Sequence, residues 1–213
     1  MKKRLPSCQQ CFFVAIALLG FISCQKKPDH WNIPDEFQSW CRYREGTYWI
    51  YRNEKTQQID CTYVTAFTVF SFAHSQDPID YYLDWERSDI KGAFLSQIFT
   101  DSQGKDVAGM TIYGKSDYGS LYFSTGLVAN PEYEKAPRPG QESHGVVAIY
   151  PTEEANGNTF TNVYHCRTED LTTVGDSVIV DGHLVENIGL VIYKKRIDKL
   201  DTTWTLVRWH VIQ

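Results

Sequence analysis

The chain has no G-x-S-x-G elbow and no H-E-x-x-H signature. Each of those motifs fixes a nucleophile or a metal on a particular local frame. Gly119-Ser120-Leu121 lacks both the spacing of an elbow and the helix that should follow it. Asp176 to Gly182 ends in Asp-Gly but lacks the alternating Asp/Asn ligands of a calcium loop, so it reads as a hairpin. Cys41, Cys61 and Cys166 form no C-x-x-C, so they are not a zinc site by spacing. There is no clustered Lys/Arg stripe. Three of the 21 basic residues lie at positions 2–4, leaving 18 against 26 acidic ones, a net charge near −8. A chain that acidic is not expected to bind nucleic acid. No catalytic residue, metal ligand or cofactor is assigned.

The N-terminus is more informative. Lys2-Lys3-Arg4 is followed by an uncharged apolar run from Phe12 to Ile22, then by Ser23-Cys24. A run of about 11 residues is too short to cross a ~30 Å hydrocarbon core as a helix. It fits the apolar region of an export signal and is excluded from fold reasoning. Phe21-Ile22-Ser23-Cys24 resembles the lipobox of bacterial lipoproteins, with Phe where Leu is commonest. The resemblance implies cleavage after Ser23 and acylation of Cys24, so that a lipid anchor would hold the chain to a membrane. Gln25 is not the aspartate that retains lipoproteins in an inner membrane, so the implied address is the cell envelope at the outer membrane. Lys26-Lys27 do not resemble an acidic surface-export tract, which leans toward the periplasmic face without deciding it.

The expected organisation is a signal peptide over 1–23, a lipid-anchored tether over 24–45 and a single β domain over 46–213. Pro28 and Pro34 interrupt the tether. Phe37, Trp40 and Cys41 fall at i, i+3, i+4 and predict a short helix within 35–43. From Gly46 onward, aromatic and β-branched runs predict strands at 46–52, 59–72, 80–87, 91–100, 106–113, 119–127, 145–150, 159–168, 176–181, 183–196 and 202–212. Turns are expected at Asn53-Glu54-Lys55, Asp101 to Gly104, Gly114 to Asp117, Asn156-Gly157-Asn158, Asp181-Gly182 and 198–201. In strand 80–87, alternation predicts Tyr81, Leu83 and Trp85 inward, with Asp80, Asp84 and Glu86 in solvent. Together these give an all-β antiparallel meander: a strongly curved sheet, an open barrel or a sandwich. The proline-containing stretch 128–144 reads as a binding loop or an insertion.

With the signal removed and Cys24 acylated, Cys41, Cys61 and Cys166 remain, enough for one disulfide of unassigned pairing. His165, His183 and His210 would converge if their strands are neighbours, and His144 lies just upstream. His165 and Cys166, being adjacent on a strand, cannot serve one metal.

Gly46-x-Tyr48-Trp49-x-Tyr51, Phe160-Thr161-Asn162-Val163-Tyr164-His165, Asn187-Ile188-Gly189-Leu190-Val191 and Trp204-Thr205-Leu206 resemble the opening and closing strands of uncharacterised outer-membrane lipoproteins with one β domain. That likeness implies a fold and an address but no activity. Gly189 would be a bulge or a close approach, and Asn162 and Asn187 polar groups needing partners. The expected role is a non-catalytic binding or envelope-structural module partnered by the membrane. Two alternatives stand beside it. One is a carrier of lipid or another hydrophobic ligand, lined by strands 59–72, 119–127 and 183–193. The other is a glycan- or protein-binding surface built from Trp31, Trp40, Tyr118, Tyr122 and Tyr133.

Overall fold

A computed structural model describes residues 29–74, 81–104, 107–115, 118–124, 142–171, 177–197 and 200–213. The signal segment, Cys24, Tyr133 and positions 128–141 of the proline-containing stretch lie outside them. The elements in chain order are β1 (Asp29–Trp31), α1 (Asp35–Cys41), β2 (Tyr48–Asn53), β3 (Ile59–His74), β4 (Tyr81–Lys91), β5 (Leu95–Gly104), β6 (Val107–Gly114), β7 (Leu121–Ser124), β8 (Glu142–Ala155), β9 (Asn158–Leu171), β10 (Ser177–Val185), β11 (Gly189–Ile197) and β12 (Leu200–His210).

The strand order β7-β6-β5-β4-β3-β2-β12-β11-β10-β9-β8 is two antiparallel meanders joined where β12 pairs with β2. Strong twist and curvature carry the ends of this sheet back toward each other, giving a nearly closed barrel. At the seam the Tyr122 N–H donates to Thr168 Oγ1 at 3.4 Å, and the Tyr122 ring meets His144 at 4.5 Å. Closure is tight across the lumen: a Cβ on Gly182 would strike Leu121. That contact corrects the turn expected at Asp181-Gly182. Both residues lie inside β10, where only glycine leaves room for β7. The chain reverses later, with Asn187 at φ 62° and Gly189 at φ 97°. The turn expected at 101–104 is likewise strand: Asp101 pairs with Gly109 and Ser102 with Ala108. The Asn156-Gly157 turn forms as expected, both residues having positive φ.

The interior is aromatic. Phe94 stacks on Trp204 at 5.0 Å and meets Tyr51 and Tyr193 at 5.0 and 5.1 Å. One end of the barrel is stoppered by α1. Seven residues are too few to hold a helix by backbone bonding alone. The helix is instead fixed by burying Phe37, Trp40 and Cys41. Phe37 and Trp40 pack on Phe123 at 5.9 and 5.1 Å, and Trp40 meets Tyr164 at 5.0 Å. Tyr43 follows, its hydroxyl donating to the Trp40 carbonyl at 2.6 Å. Residues 29–43 are thus folded into the domain. Cys41, Cys61 and Cys166 are free thiols. Burial pushes the Cys41 thiol up to about 12 and that of Cys166 upward as well.

The alternation expected of β4 is inverted. Glu86 is 3 % exposed and Ser88 is buried, both facing α1. Arg42, at the end of α1, donates to Glu86 from Nε at 2.9 Å and again from Nη2. Ser88 Oγ donates to the Tyr43 carbonyl at 2.7 Å. A carboxylate tolerates burial when a guanidinium meets it, and here that guanidinium comes from the C-terminal end of α1. Leu83 and Trp85 therefore face outward.

Candidate functional site

Three places deserve comparison. The first is the lumen, where a hydrophobic ligand would sit. Trp49, Tyr51, Leu95, Ile98, Ile112 and Leu190 surround a void of about 10 Å³, about one water's worth. The aromatic set expected to form a binding surface is dispersed. Trp40 is core at 6 % exposed, Tyr118 packs on Phe94 and Tyr193, and Tyr122 lies at the seam. At that seam Thr111, Tyr113, Ser120, Tyr122, His144 and Thr168 line an open groove of about 230 Å³.

The second place is a polar cluster on β8, β9 and β10. The register sets His183 opposite His165, and their rings stand 4.5 Å apart. Tyr150 Oη lies 3.2 Å from His165 Nδ1, and His165 Nε2 lies 2.8 Å from Asp181 Oδ1. Arg167 Nε donates to the same carboxylate at 2.7 Å. His183 Nδ1 meets Glu153 Oε2 at 2.5 Å. Burial pulls His183 below its usual range, against the pull of Glu153. Burial alone would raise the Asp181 carboxyl, but His165 and Arg167 outweigh it and hold it at about 2. His210 is elsewhere, 5.7 Å from the Tyr48 ring. Among the described residues no group of three His, Cys, Asp or Glu side chains is disposed to hold a metal. Both nitrogens of His165 and both oxygens of Asp181 are engaged within the cluster. Its chemistry is that of a brace across three strands.

The brace predicts an acid limb. A carboxyl depressed in the folded state contributes stability that is complete above its usual value near 3.8 and is lost as pH falls through about 2. His183, also depressed, adds a decline that begins as pH drops below its usual 6.5. Asp181→Asn should cost about 1–2 kcal/mol at neutral pH, allowing for solvent at the Arg167 side, and that cost should vanish toward pH 2. Urea midpoints of both proteins across pH 2–7 measure it. A gap that stays constant with pH would show that Asp181 carries no such linkage.

The third place is the outer face of β3, β4 and β5. Phe70 and Phe72 lie 5.3 and 5.5 Å from Trp85, and Phe99 lies 5.0 Å from it. Phe72 is 50 % exposed. Because the pattern of β4 was expected in the opposite sense, this cluster was not legible as a surface. The signal was the partner of Glu86, Arg42, which lies 44 residues away.

No family model matches the chain, and no curated protein or solved structure matches it either. The motifs that resemble envelope lipoproteins occupy structural positions. Trp49, Tyr51, Leu190, Val191, Trp204 and Leu206 are all core. Gly189 combines positive φ with a close approach, since a Cβ there would lie 2.8 Å from Tyr43 Oη. Asn162 and Asn187 are exposed, with φ 52° and 62°. They serve the left-handed backbone that asparagine tolerates and are not buried polar groups.

Proposed function

We propose that this chain is a membrane-anchored lipoprotein acylated at Cys24, whose barrel is a non-catalytic binding or envelope-structural module. The observation that carries the reading is the N-terminal sequence: a basic start, a short apolar run and Ser23-Cys24. The folded chain supports it. Strand β1 begins at Asp29, five residues beyond Cys24, so an anchored barrel would stand directly on its membrane. A histidine cluster spent on internal ion pairs fits a module that acts through its outer surface.

Cys24→Ala tests the anchor. Envelope fractionation should move the protein from the membrane pellet to the soluble fraction, and intact mass should lose the acyl increment. A variant that stays fully membrane-bound would overturn the lipoprotein reading.

A further inference from the structure

We propose that the projecting end of the β3–β4 hairpin lies against the lipid bilayer that holds Cys24; this rests on the lipoprotein reading above. Strand β2 pairs with β3 only as far as Tyr63, and β5 pairs with β4 only from Trp85 onward. Beyond those points the hairpin continues past the barrel wall, with β1 on the outer edge of β4. Its other edge, along residues 66–74 of β3, carries no strand among the described residues.

The projection is apolar on one face and mixed on the other. Phe72 is 50 % exposed on one side, next to Leu83 and Trp85. Val69 and Tyr82 are 56 % and 36 % exposed on the other, where Ser71 Oγ donates to Asp84 Oδ1 at 2.6 Å between them. From Ala66 to Ala73 the sequence has no charge and no proline, the devices that ordinarily guard an open edge strand. A surface of that kind is normally covered by something.

The tether identifies the cover. Asp29 pairs with Tyr81 and Trp31 with Leu83, so the chain enters beside the far end of this hairpin. His30 Nε2 lies 2.7 Å from Asp84 Oδ1, fixing the entry strand to β4. Between Cys24 and Asp29 the chain can span at most ~18 Å. Tyr81 is two residues from the Phe72–Leu83 pair, or ~7 Å along the strand. An acylated Cys24 therefore keeps the bilayer within reach of Phe72, Tyr82 and Trp85, and tyrosine and tryptophan settle at membrane–water interfaces. The opposite end of β3, at Ile59, lies ~43 Å further along the strand.

That geometry gives a test within a single strand. In the full-length chain carrying Cys61→Ser, which removes the exposed thiol, an environment-sensitive fluorophore is attached at Phe72→Cys or at Ile59→Cys. The two positions are similarly exposed, at 50 % and 54 %. The acylated proteins are reconstituted on vesicles of phosphatidylethanolamine and phosphatidylglycerol, with and without brominated acyl chains. The expected result is a blue-shifted emission at position 72, quenched severalfold by bromolipid, and a water-like, unquenched emission at position 59. Water-like emission at both positions, on protein that sediments with the vesicles and carries the acyl mass, would overturn the docking while leaving the anchor intact. Protein lacking the acyl mass would overturn the anchor and the docking with it. A blue shift at position 72 that needs no vesicles and grows with protein concentration would assign the hairpin to a second copy of the chain, and the bilayer proposal would fall.

Discussion

Trp49→Ala should lower the stability of the domain by about 4 kcal/mol, a large share of the 5–15 kcal/mol typical of such domains. Trp49 is 2 % exposed on β2, next to the junction of the two meanders. Its ring meets Tyr43 edge-on at 5.0 Å, and Nε1 donates to the Ile188 carbonyl at 2.7 Å. Truncation would empty a large volume beside a void that already exists and would orphan a carbonyl in the β10–β11 turn. It would also loosen Tyr43, against which Gly189 packs. Phe in place of Trp49 keeps most of the volume and loses the hydrogen bond, so its cost should be about 1–2 kcal/mol. Trp204 provides the contrast. It is equally buried and stacks on Phe94, yet its Nε1 has no hydrogen-bond partner among the described residues. Trp204→Ala should be as damaging as Trp49→Ala, whereas Trp204→Phe should cost less than Trp49→Phe. Denaturant midpoints of the four variants decide the matter, and an unmoved midpoint for Trp49→Ala would place that ring on a surface and break the barrel assignment.

That contrast marks how far the sequence could be read. Trp49 and Trp204 lie in runs whose aromatic and β-branched content predicts strands whatever they pair with, so the all-β class and most strand positions were legible. The short helix was legible for the same reason, since Phe37, Trp40 and Cys41 declare one apolar face. Turns were legible where local chemistry decides, as at Asn156-Gly157. They were misread where a tertiary contact decides: Asp-Gly at 181–182 has the composition of a turn, but Leu121, 61 residues earlier in the chain, needs the space. The pairing of His165 with His183 followed from strand neighbourhood, while His210 was carried off by β12. Hardest to read was the face of β4. Period-2 alternation has two phases, and hydropathy favours the one that buries Trp85. The observed phase is set by one guanidinium at the end of α1, and nothing local to β4 announces it.

Arg42→Ala is accordingly the substitution that asks most directly whether β4 has been placed the right way round. If Glu86 faces the plug, removing Arg42 leaves a carboxylate that is 3 % exposed without its cation, and stability at neutral pH should fall by about 3 kcal/mol. Were Glu86 in solvent, as hydropathy suggests, the same change would break an exposed ion pair at a cost of 0–1 kcal/mol. The figures are far enough apart for ordinary denaturation curves to separate them. Replacing both partners with apolar residues, Arg42→Met with Glu86→Leu, should recover 1–3 kcal/mol relative to the sum of the single changes, because no charge is then stranded. A second readout distinguishes loss of the plug from general softening. The Cys41 thiol lies one residue from Arg42 and donates to the Phe37 carbonyl at 3.3 Å, and its burial makes it nearly inert. In Arg42→Ala, Cys41 should react with a thiol reagent well before Cys166, which is buried on the inner face of β9. Equal slow reactivity at both thiols, together with a small loss of stability, would return Glu86 to the solvent and Trp85 to the core. The aromatic face that the bilayer is proposed to cover would then not exist.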